Sequence, residues 1–301
     1  MIKAVTVVNH IGESIKMELG SPEKSGFLIQ NITGLGPPKA SINSTEFATS
    51  DGGIFNSARV DSRNIVFSFI LLGTPSIEAT RQKAYKYFPI KKRVRLIFET
   101  DLRICETYGY VESNEPNIFT QKETIQVSVI CPDPYFYSIR KNVTLFAGIE
   151  GAFEFPFENN SLEDDLLIMG EITTMQEKSV YYTGDADVGF KIIIHAVGEA
   201  TGLNIYNLTT REVMKINTDK LEVMTGHPII RGDDIIISTV RGDKYIQLVR
   251  DGEYVNILNC LDKDASWFQL VKGDNVFIYT AETGELNLQF RIENQILYEG
   301  V

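Results

Sequence analysis

A mainly β chain in two domains is what this sequence predicts, and three observations predict it. Polar and apolar residues alternate with period two through the runs of the first half, the pattern of half-buried strands. Turn residues recur about every ten residues through part of the second half, which short strands of an antiparallel meander require. The chain is 301 residues long and 43% hydrophobic, and single cores stop growing at about 250 to 300 residues. Charge divides the chain at the same place. Residues 1–138 hold 15 Lys or Arg against 14 Asp or Glu, while residues 139–301 hold 14 against 26, so the net charge of −11 resides in the second half. We place the domains at 1–138 and 139–301, with the join near Ser138 to Lys141.

In chain order, the apolar run Phe27 to Ile32 is followed by Asn31-Ile-Thr-Gly-Leu-Gly-Pro-Pro-Lys39, whose glycines and prolines end a strand and redirect the chain. Asn64-Ile-Val-Phe-Ser-Phe-Ile-Leu-Leu72 is apolar on both faces except at Ser68, which predicts a covered strand. The expected cover is a helix from about Pro75 to Phe88. Thr74 is placed to cap it, Pro75 suits its first position, Glu78 lies near the positive end of the dipole and Pro89 stops it. Its predicted core face is Ile77, Ala84 and Phe88, with Tyr85 or Tyr87 at the edges. Two further strands follow: Arg93 to Phe98, with Val94, Leu96 and Phe98 inward, and Thr124 to Ile130, with Ile125, Val127 and Val129 inward. Cys131-Pro-Asp-Pro-Tyr-Phe-Tyr-Ser138 then closes a strand with two prolines and presents three aromatics suited to docking.

The second half reads as all-β. Between Ile229 and Leu258, turn signals at Arg231-Gly-Asp233, Arg241-Gly-Asp243 and Asp251-Gly252 each precede a β-rich run. Thr283-Gly284 is expected to turn one more hairpin, between Val276-Phe-Ile-Tyr279 and Leu286-Asn-Leu-Gln-Phe290. Short strands at regular spacing imply a sandwich or jelly roll.

Chemistry is thin along the chain. His10, His195 and His227 stand far apart, with no metalloprotease, nucleophile-elbow, phosphate-loop or Cys-His signature. Two carboxylates across a cleft, all a glycosidase needs, stay open among 40 acidic residues. Cys105, Cys131 and Cys260 are an odd number without metal-ligand spacing and read as reduced, buried thiols. Asp185-Ala-Asp-Val-Gly189 begins like a calcium loop but lacks its third acid and has Ala196 where the bidentate Glu belongs. We therefore expect no metal, no cofactor and no enzyme. The Arg-Gly-Asp triplets read as turns rather than adhesion motifs, because both fall where the meander turns. An acidic second half argues against binding nucleic acid through phosphates. The N-terminus lacks the features of a secretory signal and no apolar run nears the roughly 20 residues of a membrane helix, so the chain is expected to fold in a cytoplasm, with no membrane partner.

Two surface features stand out. Arg81, Lys83, Lys86, Lys91 and Lys92, with Arg93 and Arg95, gather in and after the helix; a solvated helix face and a subunit contact both fit. Trp267, the single Trp, lies in Ala265-Ser-Trp-Phe-Gln-Leu-Val-Lys-Gly-Asp274. Its apolar context predicts a core position, with a saccharide platform as the alternative.

In order and spacing, the segments at 31–39 and 131–138, with Asp51-Gly-Gly53 and the run Ser76 to Pro89 between them, resemble the distal tail proteins of long-tailed, non-contractile phages, especially those of Gram-positive hosts. The resemblance continues through Tyr182-Thr-Gly-Asp185 with Gly189, Trp267-Phe-Gln-Leu270 before Gly273-Asp-Asn275, and Leu297-Tyr-Glu-Gly-Val301. It implies an N-terminal β-sandwich with one helix and a projecting hairpin, which forms a hexameric ring at the end of the tail tube, and a peripheral galectin-like β-sandwich. The implied partners are copies of itself, the major tail tube protein, a tail-associated lysin or tail fibre protein, and a receptor-binding protein. The implied location is the virion tail tip, assembled in the host cytoplasm. It implies no catalytic residues. From a different class, a carbohydrate-binding module for host cell-wall saccharide is the alternative function.

Overall fold

A computed structural model describes residues 1–47, 51–73, 75–120, 122–151, 170–174 and 177–301. The chain divides into two compact units, Met1–Arg140 with Leu297–Val301, and Lys141–Ile296. The last five residues, which the sequence groups with the second half, thus belong to the first unit. Both units are β-sandwiches, as expected.

The first unit contains β1 (Ile2–Val8), β2 (Ser14–Glu18), α1 (Pro22–Ser25), β3 (Phe27–Thr33), β4 (Ala40–Glu46), β5 (Gly53–Val60) and β6 (Arg63–Leu71). It continues with α2 (Ile77–Tyr87), β7 (Arg93–Thr100), β8 (Ile104–Asn117), β9 (Thr124–Cys131) and β10 (Phe136–Ser138). Its main sheet runs β2-β1-β7-β8-β9-β6-β3, and α1 touches both end strands, β2 and β3. The sheet therefore wraps on itself. Phe98 of β7 stacks with Phe67 of β6, centroids 6.4 Å apart, although two strands separate them in the sheet. Alternation is as read: Val94, Leu96, Phe98, Ile125, Val127 and Val129 are all buried.

Helix α2 covers β6, with Phe88 just beyond its end 5.8 Å from both Phe67 and Phe69. Ala84 and Phe88 are buried and Ile77 is partly so, as the spacing predicts. The start differs. Thr74 lies outside the described residues, and the cap is Ser76, whose side chain accepts from the Ala79 N–H at 3.1 Å. Thr80 adds a buried polar contact by donating to Leu72 O at 2.8 Å, which ties the helix back to the chain entering it.

The second unit contains β11 (Asn142–Leu145), β12 (Ala147–Gly151), β13 (Gly170–Thr174), β14 (Glu177–Tyr182), β15 (Lys191–Ala196), β16 (Leu203–Asn207) and β17 (Glu212–Ile216). After α3 (Thr218–Thr225) come β18 (Asp234–Ser238), β19 (Tyr245–Arg250), β20 (Glu253–Asn256), β21 (Gly273–Thr280) and β22 (Leu288–Asn294). A six-stranded sheet, β11-β22-β15-β18-β19-β20, faces a four-stranded sheet, β14-β21-β16-β17. Between them lie Phe190, Phe268 and Phe277, and the stacked pair Tyr279 and Phe290, 3.8 Å apart. The meander β18-β19-β20 is present, with Gly242 and Gly252 at positive φ in its two turns and Gly232, also at positive φ, in the turn that enters it.

Two expectations fail here. The segment around Thr283-Gly284 is not a hairpin: β21 and β22 lie in different sheets, and the 3-10 turn Glu285–Asn287 carries the chain across. Helix α3 breaks the all-β pattern. Asn217 caps it by accepting from the Lys220 N–H at 2.9 Å, Asp219 lies in its first turn, and Gly226 ends it at φ 82.

The chain leaves the first unit after β10 and returns to it as β23 (Leu297–Tyr298), which pairs antiparallel with β10 through Phe136↔Tyr298 and Tyr137↔Leu297. The second unit is therefore an insertion between two paired strands of the first.

Candidate functional site

Strands β4 and β5 form a two-stranded sheet of their own. All of their residues are exposed except Val60, which is half-buried. Their register pairs Ala40 with Val60, Ile42 with Ala58 and Ser44 with Phe55. The shift between Asn43 and Ser44 leaves Asn56 as an extra residue, and this bulge turns Phe55 onto the face of Ile42. One face thus carries Ala40, Ile42, Ser44, Glu46, Phe55, Ala58 and Val60, with the polar pair toward the hairpin tip. The other carries Ser41, Asn43, Thr45, Ile54, Ser57 and Arg59, polar except for the exposed Ile54, and there Asn56 Nδ2 donates to Thr45 Oγ1 at 2.7 Å. Ile42 and Phe55 are 68% and 64% exposed. An isolated hairpin is marginal in water, and this one leaves Ile42, Phe55 and Ile54 uncovered, an exposed apolar surface of the kind found at contact sites.

The hairpin is launched from a corner held by Arg63, the first residue of β6. Its guanidinium is buried and makes four hydrogen bonds, all to backbone carbonyls. Nε donates to Pro134 O at 2.6 Å, Nη1 to Gly34 O and to Gly36 O at 2.7 Å, and Nη2 to Glu299 O at 2.6 Å. The Phe136 ring lies 4.4 Å beneath it. Burial pulls its pKa below the ordinary arginine value. Three segments singled out in the sequence, 31–39, 131–138 and 297–301, therefore meet on one side chain. Gly34 sits at φ 82, and a Cβ there would lie 2.0 Å from Asn64 O. Val301 N donates to Leu35 O at 3.0 Å and closes the corner.

The basic residues are only partly brought together as a free patch. Arg81 is engaged by Glu123 at 3.1 Å and Glu78 at 3.3 Å, and Lys86 by Glu13 at 2.7 Å. Lys83 is half-buried, while Lys91 and Lys92 are exposed in the turn before β7, Lys91 at φ 63. Arg93 lies over the Tyr108 ring and Arg95 pairs with Glu106.

In the second unit Trp267 is half-buried rather than in the core, with Lys244 Nζ 5.4 Å from its ring; Phe268 and Leu270 take the inward positions. The first Arg-Gly-Asp triplet cannot be presented, because Asp233 is buried and paired with Arg250 at 2.6 and 2.8 Å. All three histidines are exposed; His195 Nδ1 lies 2.8 Å from Asp234 Oδ1. Asp185 approaches Lys272 at 3.9 Å, and no group of three or more potential metal ligands occurs among the described residues. The three cysteines are free and buried; desolvation pushes the thiols of Cys105 and Cys131 up to about 11. Neither the role of Arg63 nor the apolar hairpin face is legible in the sequence: the alternation of Ala40-Ser-Ile is a usable signal, but the bulge that recruits Phe55 is visible only in the register.

No protein-family model matches the chain, and no curated protein does. Among solved structures the chain is similar to the Dit protein of phage SPP1, described as a paradigm of the hub adsorption apparatus in phages infecting Gram-positive hosts. The identity is 13% and the TM-score 0.66, over 97% of this chain and 99% of that one. It is also similar to chains of the phage P2 baseplate in its activated conformation, with Ca (10% identity, TM-score 0.46, 98% of each chain) and with Sr (10%, 0.46, 97% of each). The class this defines is a two-unit β protein with an inserted second sandwich. The chain has the fold of the SPP1 Dit protein over nearly its whole length, the fold that the resemblance in its motifs implied.

Proposed function

We propose that this chain is a structural hub of a long, non-contractile phage tail tip, assembling as a hexameric ring that joins the tail tube to the fibre and receptor-binding apparatus. The observation that carries the reading is the uncovered apolar face of the β4–β5 hairpin on a Dit fold. A cyclic contact is heterologous, so one patch must meet a different patch on the next copy. The hairpin face is one such patch. Lys91 and Lys92, exposed in the turn before β7, with Arg81, Lys83 and Lys86 of α2, are our candidates for a charged part of the contact, separate from whatever apolar surface receives the hairpin face. The inserted acidic unit, galectin-like in the reading of its motifs, serves as an adaptor for receptor-binding and lysin or fibre proteins, where its charge speeds encounter and rejects wrong partners. The protein then belongs at the tail tip of the virion, is assembled in the host cytoplasm, and performs no catalysis. Light scattering over a wide concentration range tests this. Wild-type chain is expected to associate and an Ile42→Ser/Phe55→Ser chain to stay monomeric with its fold intact. A wild-type chain that remains monomeric at high concentration with its tail partners present overturns the reading.

The half-exposed ring of Trp267 favours a second reading, a carbohydrate-binding unit. Lys244 already occupies space over that ring, which places this reading behind the first. Calorimetric titration of the full chain with host wall saccharide separates them: tight binding abolished by Trp267→Ala, with folding retained, supports the lectin.

A further inference from the structure

The corner from Gly34 to Pro38 sends the chain into β4, and the positive φ of Gly34 with the fixed φ of Pro37 and Pro38 shapes it locally. What ties that corner to the rest of the first unit is distant in the chain. Leu35 O accepts from Val301 N, and Gly34 O and Gly36 O accept from the Arg63 guanidinium, whose remaining arm donates to Glu299 O. The segment supplying those partners follows the whole inserted unit, residues 141–296, and is anchored by pairing with β10, by burial of Leu297, and by Arg103 stacked 4.5 Å from the Tyr298 ring. A buried guanidinium with an arm left unpaired is costly, so Arg63 favours all three segments docked together or none.

We propose that Leu297–Val301 is a strap that fixes the launch of the β4–β5 hairpin, so that the docking surface is set only after the inserted unit has been synthesised and the chain has returned. A chain interrupted before residue 297 then carries a folded second unit and a hairpin without a fixed direction, and is kept out of assembly. That consequence for assembly rests on the hub reading. The strap itself does not.

The test uses the full chain at a concentration where it is monomeric. In Arg63→Met, the Val301 amide is expected to exchange at least about tenfold faster, and trypsin to cut after the exposed Lys39 at least about tenfold faster, with exchange in 177–294 unchanged. Arg63→Lys, which keeps the charge but not the fork that spans three segments, should behave like Arg63→Met. Should Arg63→Met unfold the whole first unit, native-state exchange of the wild type under graded denaturant carries the test: the Val301 amide and the β4–β5 ladder must open together with one denaturant dependence. Unchanged exchange and cleavage in the variants, or a hairpin whose protection is indifferent to Val301 opening, overturns the strap. Both readings are made on monomer, so failure of the wild type to associate at higher concentration sinks the hub reading alone.

Discussion

At Gly34 a single hydrogen in place of a methyl group decides whether the first unit can close. The residue is held at φ 82, and an added Cβ would meet Asn64 O at 2.0 Å, backbone that cannot step aside without breaking the start of β6. Gly34→Ala is therefore expected to destabilise the first unit by about 3 kcal/mol or more, combining left-handed strain with overpacking. Gly36→Ala, two residues on, with ordinary φ and open space around it, should change stability by no more than about 0.5 kcal/mol. Denaturant unfolding of both full-length variants checks the contrast, and equal effects would mean that the corner is not built as described. The glycines and prolines of this segment were legible as a strand end because Gly and Pro act locally. Arg63 was not legible: a charged residue before an apolar run reads as exposed, and its four carbonyl partners come from places up to 236 residues away. Trp267 was misread for a related reason. The apolar run around it suggested core, but inward positions alternate, and Phe268 and Leu270 hold them.

Elements with a strong local period were readable, and α2 shows how far that goes. Its core face follows from spacing alone, and its stability from what lies beneath it: Phe88 packs on Phe67 and Phe69, while Tyr85, three residues earlier, is 38% exposed. Phe88→Ala should cost about 3 to 5 kcal/mol and Tyr85→Ala little, measured as shifts in the unfolding midpoint of the first unit. Comparable losses at both positions would contradict the packing. Helix α3 escaped because it has only eight residues and lies among strands, although Asn217, Asp219 and Gly226 are ordinary start and stop signals. The β21 to β22 connection escaped because a turn sequence does not say whether the chain returns beside itself or crosses to the facing sheet. The hairpin β4–β5 is the reverse case: alternation is present, but which face lies apolar depends on one bulge.

For the whole molecule, the insertion of one unit into the other changes what cleavage does. Arg140 and Lys141 are exposed at the outgoing crossing. A nick there leaves residues 297–301 attached to the second fragment yet still paired with β10 and held by Arg63. The nicked protein should therefore run as a single species on gel filtration and separate only in denaturant; fragments that part under native conditions would show that the strap contributes little. The domain count and the uneven charge were legible because they are sums over many residues, whereas the return of the last strand was not, since five residues carry too little pattern to reveal a partner in the other half of the chain. In the proposed hub, copies of this chain close into a ring through the hairpin face. Negative-stain imaging of the purified full-length chain, with class averages scored for rotational symmetry, tests it most directly. Closed sixfold rings are expected for the wild type and none for Ile42→Ser/Phe55→Ser; dispersed single particles for the wild type, or rings that persist in the double variant, overturn the hub reading.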